Sequence, residues 1–244
     1  MVEIINKFTY QKISRSSSEE TGRTYVTEEG QKLPSVTTIL SKTKPASEQA
    51  KLDDWKKRVG EQEANKIRDQ ANSLGTKFHT FLEKNLKGEG HKDLTEEGVL
   101  AEKMATLVVT NAFPYLKEVW GSEVFVHYPH LYAGQTDLIG VYKNRNCIMD
   151  FKTTNKPKRE DWIKDYFLQL GAYAMAHNHV YKTEINTGVI FMVSRDLQYQ
   201  CFAIEGERFV HVQHEWLKRV DQYYVQQNIQ LPSNISLPHS HTQT

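Results

Sequence analysis

Asp150-Phe151-Lys152 sets a carboxylate and an ammonium group two residues apart, and Asp137 closes the segment Gly134-Gln135-Thr136-Asp137 thirteen residues upstream. Side chains alternate along a β-strand, so Asp150 and Lys152 share one face and Phe151 points to the other. Residues 132–142 and 147–152 read as two strands joined around Lys143-Asn144-Arg145-Asn146. An even-numbered loop centred between Lys143 and Asn144 puts Asp137 directly opposite Asp150, and opposed residues share a face. Two like charges facing each other on a bare sheet repel. A hard divalent cation relieves that repulsion: magnesium takes carboxylate oxygens, keeps waters and leaves positions open for phosphate. The chemistry that suits this group is in-line attack of water on a phosphodiester. Metal-bound water has a lowered pKa, the metal stabilises the developing negative charge, and a second metal, if present, would assist the leaving oxygen. Lys152 is placed to orient or deprotonate that water and to balance phosphate charge.

Asp-x-Lys alone is a short motif that chance supplies, and its bland reading is a charged hairpin facing solvent. The flanks Leu138-Ile139 and Ile148-Met149 argue otherwise. They embed the acids in a core strand, where unpaired charge is costly.

Several elements must position these groups. Residues 3–13 and 23–29 alternate as an N-terminal hairpin joined by a polar, Ser-rich stretch and followed by Glu28-Glu29-Gly30. Ser35 can cap a short helix, and a charged helical stretch over about 46–70 carries Lys51, Lys56, Lys57 and Arg58. Leu74, Phe78, Phe81, Leu82 and Leu86 fall at helical spacing, with His79 at the border of that apolar face. A second helix is expected over 95–120, disturbed near Pro114. A strand over 123–128 precedes the hairpin. After it come a helix over 160–178, strands near 187–194 and 198–204, and a helix over 206–227. This order predicts an α/β fold, a central mixed sheet flanked by helices, with the N-terminal hairpin and helices as an elaboration. One nuclease-type domain is expected over 1–232, its elaboration over 1–72 and its core over 73–228, followed by a polar tail over 233–244.

The 244 residues are 39% hydrophobic and 25% charged, and no apolar run approaches the eighteen or so residues of a membrane span. A net charge of +1 means that any nucleic-acid contact comes from local clustering of charge. Cys147 and Cys201 lack the spacing of a zinc site and are too few for a four-thiolate iron–sulfur cluster, so both are expected as reduced, packed thiols. The opening residues lack the pattern of a secretion or mitochondrial targeting segment, which sets the expectation of a cytoplasmic protein.

GQTD, IMDFKTT and LQLGAY resemble, in order, the motifs of RecB-like nucleases of the PD-(D/E)XK superfamily. The resemblance implies a restriction-endonuclease-like core in which Asp137, Asp150 and Lys152 are catalytic. It implies metal ligation by both aspartates and by the Phe151 backbone carbonyl. It also matches His79 of GTKFH to a metal-binding histidine and Glu123 to a glutamate on the preceding strand. A longer similarity, through LPSVTTIL, GTKFHTFLE, DFKTTNKPK and LQLGAYAMAHN, covers roughly residues 33–225 and resembles the mitochondrial genome maintenance exonuclease family and its viral and bacterial relatives. That similarity implies a magnesium-dependent exonuclease, with manganese able to substitute, acting on single-stranded DNA with free ends in replication, repair or recombination. It would act as a monomer, with unknown replication or recombination partners and no membrane. Two alternatives stay open: a flap or junction endonuclease, and a catalytically inactive DNA-binding module.

Gln169 and Tyr173 lie four apart on one helix face, with Tyr166 and Trp162 continuing the stripe. Core packing accounts for Trp162 and Tyr166. A glutamine in such a stripe needs a polar partner, and QxxxY resembles the RecB-like pair that lines the active site. Lys156 and Lys158, just beyond the catalytic strand, suit phosphate contacts, although a solvated loop reads nearly as well. Ser35 and Thr37 can offer hydroxyls to phosphate, and simple capping explains Ser35 equally well. No role is assigned to His127, His130, His177 or His179.

Overall fold

The structure is a computed structural model that describes residues 3–5, 7–18 and 22–230. The expected tail over 233–244 lies outside the described residues. In chain order the strands and helices begin with β1 (Glu3–Ile4), β2 (Ser14–Ser18), β3 (Gly22–Val26), β4 (Lys32–Pro34), α1 (Val36–Lys42), α2 (Ala46–Val59) and α3 (Glu61–Leu86). They continue with α4 (Glu96–Asn111), β5 (Leu116–Tyr128), β6 (Tyr132–Tyr142), β7 (Arg145–Thr154), α5 (Lys164–Tyr181), β8 (Thr187–Ser194), β9 (Tyr199–Glu205) and α6 (Gly206–Gln226). Six strands form a mixed sheet in the order β1-β5-β6-β7-β8-β9, and β2-β3-β4 form a separate sheet. In the large sheet β1 with β5 and β7 with β8 are parallel, and the other neighbours are antiparallel. The α/β class and the mixed central sheet are as the sequence predicts.

Alternation along the strands sorts the side chains onto two cores. Ile139, Ile148 and Ile190 pack with residues of α1, α5 and α6 on one face. Leu138, Met149, Phe151 and Phe191 pack with residues of α3 and α4 on the other. Burying a side chain of this size stabilises the fold by roughly 1.5–3 kcal/mol, so the strands that carry the acids are anchored from both sides. Among the described residues no helix is long and apolar enough to cross a membrane.

Several boundaries differ from the sequence reading, each for a local reason. The N-terminal hairpin pairs Ser14–Ser18 with Gly22–Val26, so the Ser-rich stretch is a strand and not a connection. All five residues of β2 are exposed, and backbone pairing holds it where apolar alternation gives no signal. Glu3–Ile4 instead joins the large sheet beside β5. The long charged helix ends at Gly60, whose φ of 86° no other residue adopts readily, and α3 then runs unbroken from Glu61. Pro114 sits in a 3₁₀ turn over Phe113–Tyr115 that ends the helical region, so β5 begins at Leu116 and not near residue 123. Residues 160–162 form a separate 3₁₀ turn ahead of α5.

Candidate active site

The turn at Lys143-Asn144 has both residues at positive φ, the conformation of a tight two-residue hairpin loop. It fixes the β6–β7 register as the sequence predicts, from Tyr142 opposite Arg145 to Leu138 opposite Met149. The ladder stops there, one pair short of Asp137 and Asp150. On the other side of β6, β5 pairs at Ser122 with Leu138 and at Val124 with Thr136, passing over Glu123 and Asp137. Glu123 itself has φ 54°, a left-handed conformation rare for a side chain of this kind inside a strand. The two ladders therefore part around the acids. Into the gap Phe151 N–H donates to Asp137 Oδ2 at 2.7 Å, which replaces the expected face-to-face pairing of the two aspartates. An extended residue sends its N–H and C=O to the same strand edge, so the Phe151 carbonyl also faces this gap.

His79 arrives from α3, held by its neighbours Phe78 and Leu82 in the core beneath that helix. Its Nδ1 lies 3.4 Å from Glu123 Oε1 and 3.6 Å from Asp137 Oδ1. One donor atom from each of His79, Glu123 and Asp137 falls within 4.8 Å of the others. Burial works against charge on His79, but the Asp137 and Glu123 carboxylates outweigh it and raise its pKa to about 9. Asp150 is only 2% exposed, and burial pushes its pKa up against the opposing pull of Lys152. Burial also works against the Lys152 charge, but the Asp150 and Asp137 carboxylates outweigh it, and the lysine pKa is raised. Lys152 Nζ lies 2.5 Å from Asp150 Oδ2, yet that oxygen makes no well-aligned hydrogen bond. Two carboxylates and an imidazole that close together, beside the buried Asp150 carboxylate, fit a hard divalent cation. Asp150 stands just outside the trio.

These groups face a cleft of about 640 Å³. Its α5 wall carries Gln169 and Tyr173, and Gln169 Nε2 donates to the Tyr173 hydroxyl at 3.0 Å, the polar partner that a buried glutamine needs. Tyr166 also lines the cleft, with its ring centre 5.0 Å from Lys152 Nζ. Tyr166 is half-buried and also packs against the core, as its core-packing reading has it. The core-packing reading fails for Trp162, which is 63% exposed. Ser35 and Thr37 also line the cleft; Ser35 accepts from Thr38 N at 2.9 Å, so its capping role is realised there as well. Lys156 and Lys158 are not on the cleft wall. Lys158 N–H and C=O are both bonded to the Gln200 side chain, which pins that loop to β9.

Sequence reasoning passed over Arg23 and Gln135, and both line the cleft. Arg23 comes from the small sheet, where its N–H and C=O are tied to Thr38 Oγ1. Gln135 sits inside the GQTD segment and bonds Glu123 twice. The first of these had no local signal. The second stood within a motif whose last residue drew the attention. A larger groove of about 1220 Å³ shares no residue with this cleft, and charges of both signs line it, among them Arg159, Glu160, Arg208 and Glu215.

The chain is 30% identical over 203 residues to mitochondrial genome maintenance exonuclease 1 of Xenopus tropicalis, a match over 78% of this chain and 57% of that protein. It is 27% identical over 217 residues to the protein of the same name in Homo sapiens, over 82% of this chain and 61% of that one. The chain resembles the mitochondrial genome maintenance exonucleases. It spans about three fifths of the length of these curated relatives. No family model matches it. A solved structure from Eubacterium rectale, provisionally described as an exonuclease, aligns over 69% of this chain and 77% of its own at 10% identity, with a TM-score of 0.44.

Proposed function

We propose that this chain is a metal-dependent deoxyribonuclease that hydrolyses phosphodiester bonds of single-stranded DNA from free ends, in replication, repair or recombination. The observation that carries the reading is the meeting of His79, Glu123 and Asp137 with the Asp150–Lys152 pair in one cleft, at the place where three strands part. His79, Glu123, Asp137 and Asp150, with the Phe151 carbonyl, would hold magnesium, and manganese would substitute. When bound, the ion supplies a nucleophilic water of lowered pKa and charge stabilisation at the phosphate. Asp150 holds the Lys152 ammonium, and the Tyr166 ring face beside it favours that charge further. Lys152 in turn orients the attacking water and offsets the charge on the phosphate oxygens. Gln169 and Tyr173 position the strand from the α5 side. Ser35, Thr37 and Arg23 contact phosphates along the cleft, and Lys156 and Lys158 act on more distant ones.

End dependence is supported by the helices ahead of the sheet. α2 buries none of its residues, and before Leu74 α3 buries only Ala64, so the pair stands away from the core while α3 runs on to line the cleft through His79 and Glu83. Lys56, Lys57 and Arg58 close α2 and give this elaboration a basic end. A strand passing beneath such a pair would enter by its end.

Incubating end-labelled linear and circular single strands with magnesium tests the proposal. Linear strands should shorten and circles should survive. Circles cut as fast as linear strands would establish an endonuclease instead, and undiminished cutting by Lys152→Ala would remove this cleft as the site. DNA binding without any product under magnesium or manganese would mark an inactive binding module.

A further inference from the structure

We infer that Gln135 determines how Glu123 presents itself to a divalent cation, and that it thereby favours magnesium and manganese over calcium. This rests on the metal-binding role proposed for the cleft. Gln135 Nε2 donates to Glu123 Oε2 at 2.9 Å and to the Glu123 backbone carbonyl at 3.2 Å. A side-chain amide has two N–H donors, and both are committed to this one residue. The other carboxylate oxygen, Oε1, is the one 3.4 Å from His79 Nδ1, on the side of the metal-ligand trio. The two oxygens of Glu123 thus have separate partners.

Strand placement makes the contact possible. Gln135 is registered opposite Phe125, two residues beyond Glu123, so its side chain reaches diagonally across the β5–β6 ladder. The bond to the Glu123 carbonyl also ties down a backbone that stands at φ 54°. One side chain therefore holds the unusual backbone and selects the oxygen that remains available.

The choice of oxygen matters for the ion. Magnesium requires near-octahedral geometry and is served by single carboxylate oxygens, whereas calcium takes six to eight oxygens and readily uses both from one carboxylate. With Oε2 held by Gln135, Glu123 is disposed to offer Oε1 alone. That suits the smaller ion and denies calcium a bidentate ligand. Gln135 is thus a positioning residue that acts through Glu123.

Calorimetric titration of manganese and of calcium into the full chain, without DNA, tests the inference. In Gln135→Met, manganese should bind roughly 10-fold more weakly, as when the partner of a metal ligand is removed. Calcium affinity should hold or rise, so the preference moves towards calcium by about the same factor. Gln135→Asn, too short to reach both acceptors, should shift the ratio in the same direction, and thermal unfolding in EDTA establishes that each variant is folded. An unchanged ratio, or an equal loss for both ions, overturns the inference while leaving the metal site standing. A wild-type chain that binds neither ion overturns the metal site and this inference together.

Discussion

Glu123 holds a left-handed backbone that costs roughly 1–2 kcal/mol for a residue with a Cβ, and it brings a second carboxylate towards Asp137. Strain and repulsion of this kind persist where surrounding structure enforces them, and they cluster at functional positions. Glu123→Gly should relieve both. The metal-free protein should gain about 1 kcal/mol in urea unfolding while nuclease activity falls by at least two orders of magnitude, an opposition that a purely structural residue would not give. His177 supplies a different residue-scale prediction. It is fully buried between the Tyr10 hydroxyl at 3.2 Å and Thr183 Oγ1 at 2.8 Å, and burial, with Lys7 adding to it, lowers its pKa to about 4. The folded state therefore binds this proton less well than the unfolded chain, whose histidine titrates near 6.5. Stability is complete above that value and declines as pH falls towards 4, by up to about 3 kcal/mol from this group. Unfolding curves at pH 7, 5.5 and 4.5 should show the decline, and His177→Gln should show a shallower one.

At the scale of elements, the site depends on how closely α5 lies against β6. A Cβ placed on Gly134 would run into the Tyr173 ring, so the helix packs at a distance that only glycine allows. Gly134→Ala should force Tyr173 and its partner Gln169 out of place at a cost of about 1–3 kcal/mol. Thermal unfolding should register that loss, and the Michaelis constant for an oligonucleotide should rise. Much of this arrangement was readable in advance. Apolar flanks and a two-residue turn specify the β6–β7 register, and Gln169 betrayed itself as a polar residue in an apolar stripe. The parting of the ladders was not readable, because it depends on the Glu123 backbone and on the Phe151 N–H bond to Asp137, and neither has a signature in residue type. Nor was β2, whose five exposed residues show no alternation. Gly60 was visible as a glycine, yet the helical pattern on both sides of it concealed that one helix ends and another begins there.

For the whole molecule, a net charge of +1 means that any DNA affinity has to come from where cations stand and not from their number. Arg23 shows why this placement escapes a linear reading. It lies more than a hundred positions from Asp137 and meets the same cleft because the small sheet is joined to the large one, through the bridge between Ser35 and Ala133 and the packing of Tyr25 and Leu33 with Ala133 and Phe125. Neutralising a phosphate contact lowers the dependence of single-strand binding on salt by about 0.7 in the log–log slope. Arg23→Gln should produce that change in fluorescence anisotropy with labelled oligothymidylate in EDTA, and Arg23→Lys should restore most of it. An unchanged slope would take Arg23 off the path of the strand.

The early end of the β6–β7 ladder has a kinetic side. β7 keeps eight registered partners on β8, from Cys147 to Thr154, after it has lost β6 at Met149. Asp150 and Lys152 thus ride on the firmly paired side of the gap, and Glu123 on a strand whose pairing is interrupted. Amide protons along β7 and β8 should exchange with deuterium only when the whole domain unfolds, whereas those around Ser122 to Val124 should exchange through local opening, orders of magnitude sooner. The two sides of the gap would then differ in tempo, with β7 holding Asp150 and Lys152 fast while the β5 segment around Glu123 opens and closes beside them.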